Sequence, residues 1–348
     1  MTLSAAKMPS DASGHLDYLD GWRGVAICLL LVGHFFPVPG INLGTLGVNF
    51  FFVLSGCLMT RLLFVQITPI DVFYRRRIAR IVPAHIVFVA IVTLLMVVMG
   101  REVSVPEIVA AALFVNNYVG SDAGNAIMPF GHIWSLSVEE HSYILLSLLA
   151  LAARRRMINA VFGVGAVALA SAIFAIAYSL YYSGPQLQFE KWIHTEVGGY
   201  GIFLSGFILL ATRERAPRNW PGLTVPFLTL LGVVSHWWSV PIAVQKIVGV
   251  GALALAINLL PQSQLLVRNV LALKPFRYLG LWSFSLYIWQ QPFYLWSRNG
   301  NAPTWFGLLL AFASGLTSYY LLERPARRYL NRVWGHQAVL ATSAPVSR

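Results

Sequence analysis

Few residues in this chain could do chemistry, and their spacing sorts them into groups. The first is Arg23-Gly-Val-Ala-Ile-Cys-Leu-Leu-Leu-Val-Gly-His34. On a helix this separation rises about 16.5 Å and turns about 1100°, so Arg23 and His34 share a face within roughly 20°. The stripe carries a fixed cation at one end and an imidazole near mid-depth. Imidazole titrates near neutrality and suits general-base work. The structural alternative is a histidine hydrogen-bonded between helices. The second group is Phe73-Tyr74-Arg75-Arg76-Arg77-Ile-Ala-Arg80-Ile-Val-Pro83. Here Arg75, Arg76 and Arg80 lie a helical turn apart on a shared face. Guanidinium forks match phosphate geometry, so a phosphate-bearing donor such as a coenzyme A thioester fits. So does a stop-transfer cluster on anionic lipid headgroups.

The third group is Trp134-Ser-Leu-Ser137-Val-Glu139-Glu140-His141-Ser-Tyr143. Two carboxylates entering a bilayer are costly unless they pair or work. They point about 100° apart. One can therefore pair with an arginine while the other orients an imidazole or binds sugar hydroxyls. The alternative is an interfacial helix start anchored by Trp134. A fourth segment, Gly47-Val-Asn-Phe-Phe-Phe-Val-Leu-Ser-Gly56, has small residues that permit close helix approach. In the fifth, Ser283-Phe-Ser-Leu-Tyr287-Ile-Trp-Gln290-Gln-Pro292, amides and hydroxyls can hydrogen-bond an acceptor. Trp134, Ser137, Tyr287 and Gln290 are thus the candidate acceptor contacts. The following Ser318-Tyr-Tyr-Leu-Leu-Glu323-Arg324-Pro325 reads as a helix end before proline. No metal-ligand spacing is present. Cys28 and Cys57 read as small core residues.

The elements that must position these groups are membrane helices. The chain has 348 residues, 57% hydrophobic and only 11% charged, against about 25% charged in a soluble domain. Ten runs reach the roughly 20 apolar residues that a span requires. They are 22–37, 44–65, 82–100, 132–152, 158–181, 196–212, 222–238, 241–260, 278–297 and 303–322, with 104–119 interfacial or re-entrant. With the N-terminus cytoplasmic, ten crossings put 21 of the 25 basic residues on the cytoplasmic side, leaving only Arg101, Lys191, Lys246 and Arg298 outside. This is the positive-inside asymmetry, and it accounts for the net charge of +12 without nucleic acid. The expectation is an all-α polytopic membrane protein of about ten transmembrane helices with both termini cytoplasmic. A polar tail 1–15 precedes a single transmembrane domain 16–332, and a disordered tail 333–348 follows it.

Together the ordered motifs resemble the acyltransferase 3 family of bacterial membrane proteins. The resemblance runs from about Leu16 to Asn331 and rests on Arg23/His34, GVNFFFVLSG, FYRRRIARIVP, HIWSLSVEE, SFSLYIWQQP and SYYLLERPARR. It implies a multi-pass protein of the bacterial inner (plasma) membrane. Such a protein would transfer an acyl group, most often acetyl, from acyl-CoA (acetyl-CoA as donor substrate) to a carbohydrate hydroxyl. Acceptors in the family include lipopolysaccharide O-antigen, exopolysaccharide and lipid-linked glycans. The resemblance also makes His34 the essential histidine, Arg23 its basic partner and Arg75, Arg76, Arg77 and Arg80 the cytoplasmic basic motif. Glu139 and Glu140 fall on its acidic element. Two departures stand out. Gln290 stands where many relatives have histidine, and Glu196 follows Thr195 where an arginine is usual. The rival reading is a proton-coupled transporter or flippase using His34 and the carboxylates as a relay. No inverted repeat supports it.

Overall fold

In a computed structural model of the chain, residues 17–119, 127–182, 191–214, 220 and 222–343 are described, with side chains up to 334. The tail 1–15 and four basic residues of the charge argument, Lys7, Arg215, Arg218 and Arg348, lie outside this set. A backbone in lipid must satisfy its polar groups internally, and the apolar runs do so as helices. In chain order they are α1 (Asp17–Phe35), α2 (Leu43–Thr60), α3 (Ile70–Val98), α4 (Val105–Ala112), α5 (Trp134–Arg154) and α6 (Ala160–Tyr181). There follow α7 (Tyr200–Thr212), α8 (Thr224–Val234), α9 (Gly251–Leu259), α10 (Leu265–Leu271), α11 (Lys274–Arg298), α12 (Thr304–Ser318) and α13 (Arg324–Ser343). No strand occurs among the described residues beyond an isolated bridge, Ile41 to Trp237.

Every one of the ten expected segments falls on a helix. Among the described residues seven helices are long and apolar enough to cross a membrane: Leu43–Val65, Ile70–Val98, Gly131–Arg154, Ala160–Tyr181, Thr195–Thr212, Ile242–Gln262 and Thr304–Trp334. Helices α1, α8 and α11 fall short of that standard. The first and last are long but carry charged and polar side chains, and α8 has only 11 residues. The tail expected from 333 begins inside α13, which continues to Ser343.

Three π-turns interrupt the helices: Arg61–Val65 after α2, Gln245–Val250 before α9, and Tyr319–Glu323 between α12 and α13. A π-turn loosens the backbone ladder by one residue per turn. Beside the first of them, the Arg154 guanidinium donates to the Leu63 and Thr68 carbonyls at 2.9 and 2.8 Å.

The chain divides into two compact units. One comprises 1–59, 159–188 and 196–283; the other comprises 60–158, 189–195 and 284–348. The first has a core of Trp22, Phe50, Leu54, Tyr200, Leu253 and Ile257, among others. Trp22 stacks on Phe50 at 4.6 Å, and its indole N–H donates to the Phe50 carbonyl. Close approach inside this unit is set by the glycines of the fourth motif. A Cβ at Gly47 would lie 2.6 Å from the Ala26 carbonyl oxygen, and one at Gly56 would lie 2.1 Å from that of Ile202. Backbone cannot retreat as a flexible side chain can. Gly56→Ala is therefore expected to destabilise the protein by about 1–3 kcal/mol, the usual cost of overpacking. A thermal-unfolding midpoint in detergent that matches wild type would contradict this.

In the second unit α3, α5, α11 from Phe284 onward, α12 and α13 carry the polar groups described below. Helix α4 starts at Ser104, whose hydroxyl accepts from the Glu107 N–H. The buried Glu107 carboxylate in turn accepts from the backbone N–H groups of Ile127 and Met128.

Candidate functional site

In the first unit, α1 begins five residues before the apolar run at 22, because its polar first turn is held by ion pairs. Asp17 meets Arg277 and Asp20 meets Arg23, each at 2.8 Å. The helix ends at Phe35, with Pro37 and Pro39 following. His34 therefore lies in the last turn of α1. Arg23 and His34 do sit on one helix, separated by about 16 Å of rise. Arg23 is engaged by Asp20, so its charge is partly neutralised at the opposite end.

His34 is half-buried and abuts the start of α2. There Asn42 acts as N-cap, its Oδ1 accepting from the Thr45 N–H at 3.0 Å. A Cβ at Gly44 would fall 3.1 Å from Nε2 of His34 and 3.2 Å from Cδ2. Glycine at 44 is what lets the imidazole lie against this helix start.

In the second unit the arginine run splits. Arg77 turns inward and donates to the Glu140 carboxylate at 2.8 Å, with its guanidinium 3.7 Å from the centre of the Tyr143 ring. Arg76 and Arg80 are exposed and one turn apart; Arg75 reaches only a distant Asp71 at 3.8 Å. Of the paired carboxylates, Glu140 is thus committed to an arginine. Glu139 acts electrostatically on both Arg77 and Tyr287.

The candidate acceptor contacts are largely enclosed within this unit. The Ser137 hydroxyl is buried and donates to the Ile133 carbonyl one turn back. The Tyr287 hydroxyl donates to the His132 carbonyl at 2.6 Å and lies 2.5 Å from the Ser135 hydroxyl. Gln290 is buried, with its amide donating to Gln291, and Trp134 is half-buried at the start of α5. Nearby, the buried Glu323 carboxylate in the third π-turn accepts from Ser285 and Ser318, with Arg80 and Arg327 close enough to act on it electrostatically.

A further constellation joins residues far apart in the sequence. His141 Nδ1 lies 2.7 Å from the Thr195 hydroxyl, which also accepts from the Asn117 amide at 2.9 Å. Thr195 was legible only as one half of a departure from a motif, and His141 only as the neighbour of two glutamates. The 54 residues between them hide the pairing. Among the described residues no three His, Cys, Asp or Glu side chains gather as a metal site.

Comparison with known proteins bears on what these groups serve. A family model described as an acyltransferase domain matches residues 16–324. The O-acetyltransferase OatA of Staphylococcus aureus (strain NCTC 8325 / PS 47) is 24% identical over 371 residues, covering 90% of this chain and 57% of that protein. A putative O-acetyltransferase of S. aureus (strain COL) is 32% identical over 176 residues, covering 45% of this chain and 29% of its own length. The chain thus spans a little over half the length of OatA. No solved structure matches.

Proposed function

The chain belongs to the acyltransferase domain family matched over residues 16–324, and from that premise we propose that it is a membrane-embedded O-acyltransferase. It moves an acyl group, acetyl in the first instance, from acyl-CoA to a carbohydrate hydroxyl of the cell envelope. The names of the two relatives support an O-linked acetyl product. The protein sits in the bacterial plasma membrane, with ten crossings and both termini cytoplasmic. The excess of arginine in the expected cytoplasmic segments supports that topology.

The observation that carries the mechanism is the setting of His34: half-buried, against the capped start of α2, on the same helix as Arg23. His34 takes the proton of the acceptor hydroxyl as the oxygen attacks the thioester carbonyl. The thiolate leaves as the C–O bond forms. Donor phosphates are held by Arg76 and Arg80, whose exposed guanidinium groups stand one turn apart, with Arg75 beside them. Arg77 fits that role less well because Glu140 already occupies it. Its part is to hold α3 to α5, both in the second unit. Arg23 in the first unit, and Glu139 and Glu140 in the second, are proposed as further catalytic residues. Trp134, Ser137, Tyr287 and Gln290 shape the acceptor side.

The test is a label assay with the full chain in proteoliposomes, using acetyl-CoA labelled in the acetyl group and a cell-envelope glycan extract as acceptor. Label appearing in the glycan is the expected result. Failure with acetyl-CoA and with a panel of other acyl-CoA donors would overturn the reading.

Gly44→Ala offers a finer check. The added methyl displaces the His34 ring by a few tenths of an ångström, and small misplacements at a reacting group are costly. We expect a roughly tenfold drop in transfer rate with an unchanged unfolding midpoint. An unchanged rate would mean that the ring position seen against α2 is not the working one.

A further inference from the structure

The Thr195–His141 pair lies wholly within the second unit and has the parts of an activated nucleophile: a hydroxyl, an imidazole within hydrogen-bond reach, and a third group that orients the ring. The hydroxyl oxygen is 2.7 Å from His141 Nδ1. The Tyr118 ring stacks on the His141 ring at 6.1 Å, and the Phe114 carbonyl acts on it electrostatically. With Nδ1 unprotonated, the ring accepts the threonine proton.

Phe114 itself is in the left-handed region, with φ 57°. For a bulky residue this conformation is uncommon and strained. Its ring stacks on His85 at 4.2 Å, which holds the strained turn in place. The chain then places Asn117 and Tyr118 around the same hydroxyl. The Asn117 amide donates to Thr195 Oγ1, and the Tyr118 hydroxyl accepts from the Thr195 backbone N–H at 3.2 Å. Asn117 is fully buried, and its Oδ1 has no partner among the described residues. A Thr–His pair serving only to pack a helix would need neither a strained phenylalanine nor a buried amide with an unfilled acceptor. Thr195 and His141 are themselves only half-buried, so a substrate can reach the hydroxyl.

We propose that Thr195 is a covalent acyl carrier, with His141 as its base, so that transfer proceeds in two steps. In the first, Thr195 Oγ1 attacks the carbonyl of the acyl thioester and His141 Nδ1 takes its proton. The C–S bond breaks, an ester C–O bond forms, and the proton passes from His141 to the departing thiolate. In the second, an acceptor hydroxyl attacks the threonyl ester. Its proton goes to the acceptor's base and is relayed from there through His141 to the departing Thr195 oxygen. No oxidant or further co-reactant is required. The proposal rests on the acyltransferase reading, and replaces its direct attack on the thioester with a stored acyl group.

The test uses the full chain in proteoliposomes with acetyl-CoA and no glycan acceptor. Free CoA is followed in time, and peptide mass spectrometry locates any acetyl group. Wild type is expected to release a rapid burst of one CoA per protein and to carry one acetyl on Thr195. Such a burst is the signature of an acyl-enzyme. Thr195→Ala and His141→Ala are expected to lose the burst, and Thr195→Ser to keep it with acetyl on the serine. Thr195→Ser guards against misfolding as the cause of loss in the alanine variant. Glycan transfer by wild type without a burst would overturn the carrier while sparing the acyltransferase reading. So would a burst retained in a monodisperse Thr195→Ala protein, or acetyl found on another residue. Absence of CoA release both with and without glycan would overturn both.

Discussion

Replacement of His34 by alanine is expected to lower the rate of transfer to glycan by about 10²–10⁴-fold, the contribution of a positioned general base. The loss should fall on kcat, because the proton moves only as the new bond forms. Binding of donor should be spared. His34 sits in the last turn of α1, where the helix is about to end. Its removal breaks no helical hydrogen bond and leaves the core of Trp22, Phe50 and Leu54 untouched. The variant should therefore insert and unfold like wild type, which separates a chemical defect from a folding one. The measurement is an initial rate with labelled acetyl-CoA, read beside an unfolding midpoint in detergent. A rate within a few-fold of wild type would remove the base assignment.

Arg77→Ala should be the most damaging single substitution for stability. It strips the Glu140 carboxylate of its partner and removes a cation from the Tyr143 ring. Breaking a buried ion pair from one side costs about 3–5 kcal/mol, because the surviving charge stays desolvated. The side chains of Arg77 and Glu140 are 13% and 21% exposed, so some water remains and the lower end applies. Glu140→Gln in the same chain removes the stranded charge. The double variant Arg77→Ala with Glu140→Gln should consequently be more stable than Arg77→Ala alone, although it has lost one more native group. Unfolding midpoints of the single and double variants decide this. If the double is the weaker, the pair is not the reason for the loss. The same substitution tests whether Arg77 also serves the donor. Arg76→Ala and Arg80→Ala remove exposed guanidinium groups, and should raise the KM for acyl-CoA without a comparable loss of stability.

The helices were legible because lipid leaves a backbone few options, and a run of about 20 apolar residues is hard to misread. The ends were less so. The first turn of α1 is polar, and its asparates and arginine look like a loop until Arg277, more than 250 residues away, supplies the partner of Asp17. The helix also stops at Phe35, ahead of Pro37 and Pro39, two residues short of the end expected at 37, which leaves His34 in its last turn. The same limit applies to the arginine run. Spacing shows that Arg76 and Arg80 share a side, but only the fold shows that Arg77 points at Glu140, 63 residues on. The resemblance to a family supplied candidate roles for His34 and the arginines. It gave no hint of the contact between His141 and Thr195, since neither residue is unusual alone and their meeting depends on the strained turn at Phe114.

The π-turn at Tyr319–Glu323 has a consequence for the phase of everything after it. One surplus residue in a helix advances the side chains beyond it by about 100°. A helical wheel drawn continuously from Thr304 to Arg332 therefore places the arginines of α13 on the wrong side by more than a quarter circle. Deletion of one residue between Tyr319 and Leu322 would restore an ordinary helical repeat and swing Arg324, Arg327, Arg328 and Arg332 together, as a rudder turns on its post. It would also part Glu323 from Ser285. Relatives without this surplus residue should show a single-position gap at this point and carry their basic stripe on a different set of positions.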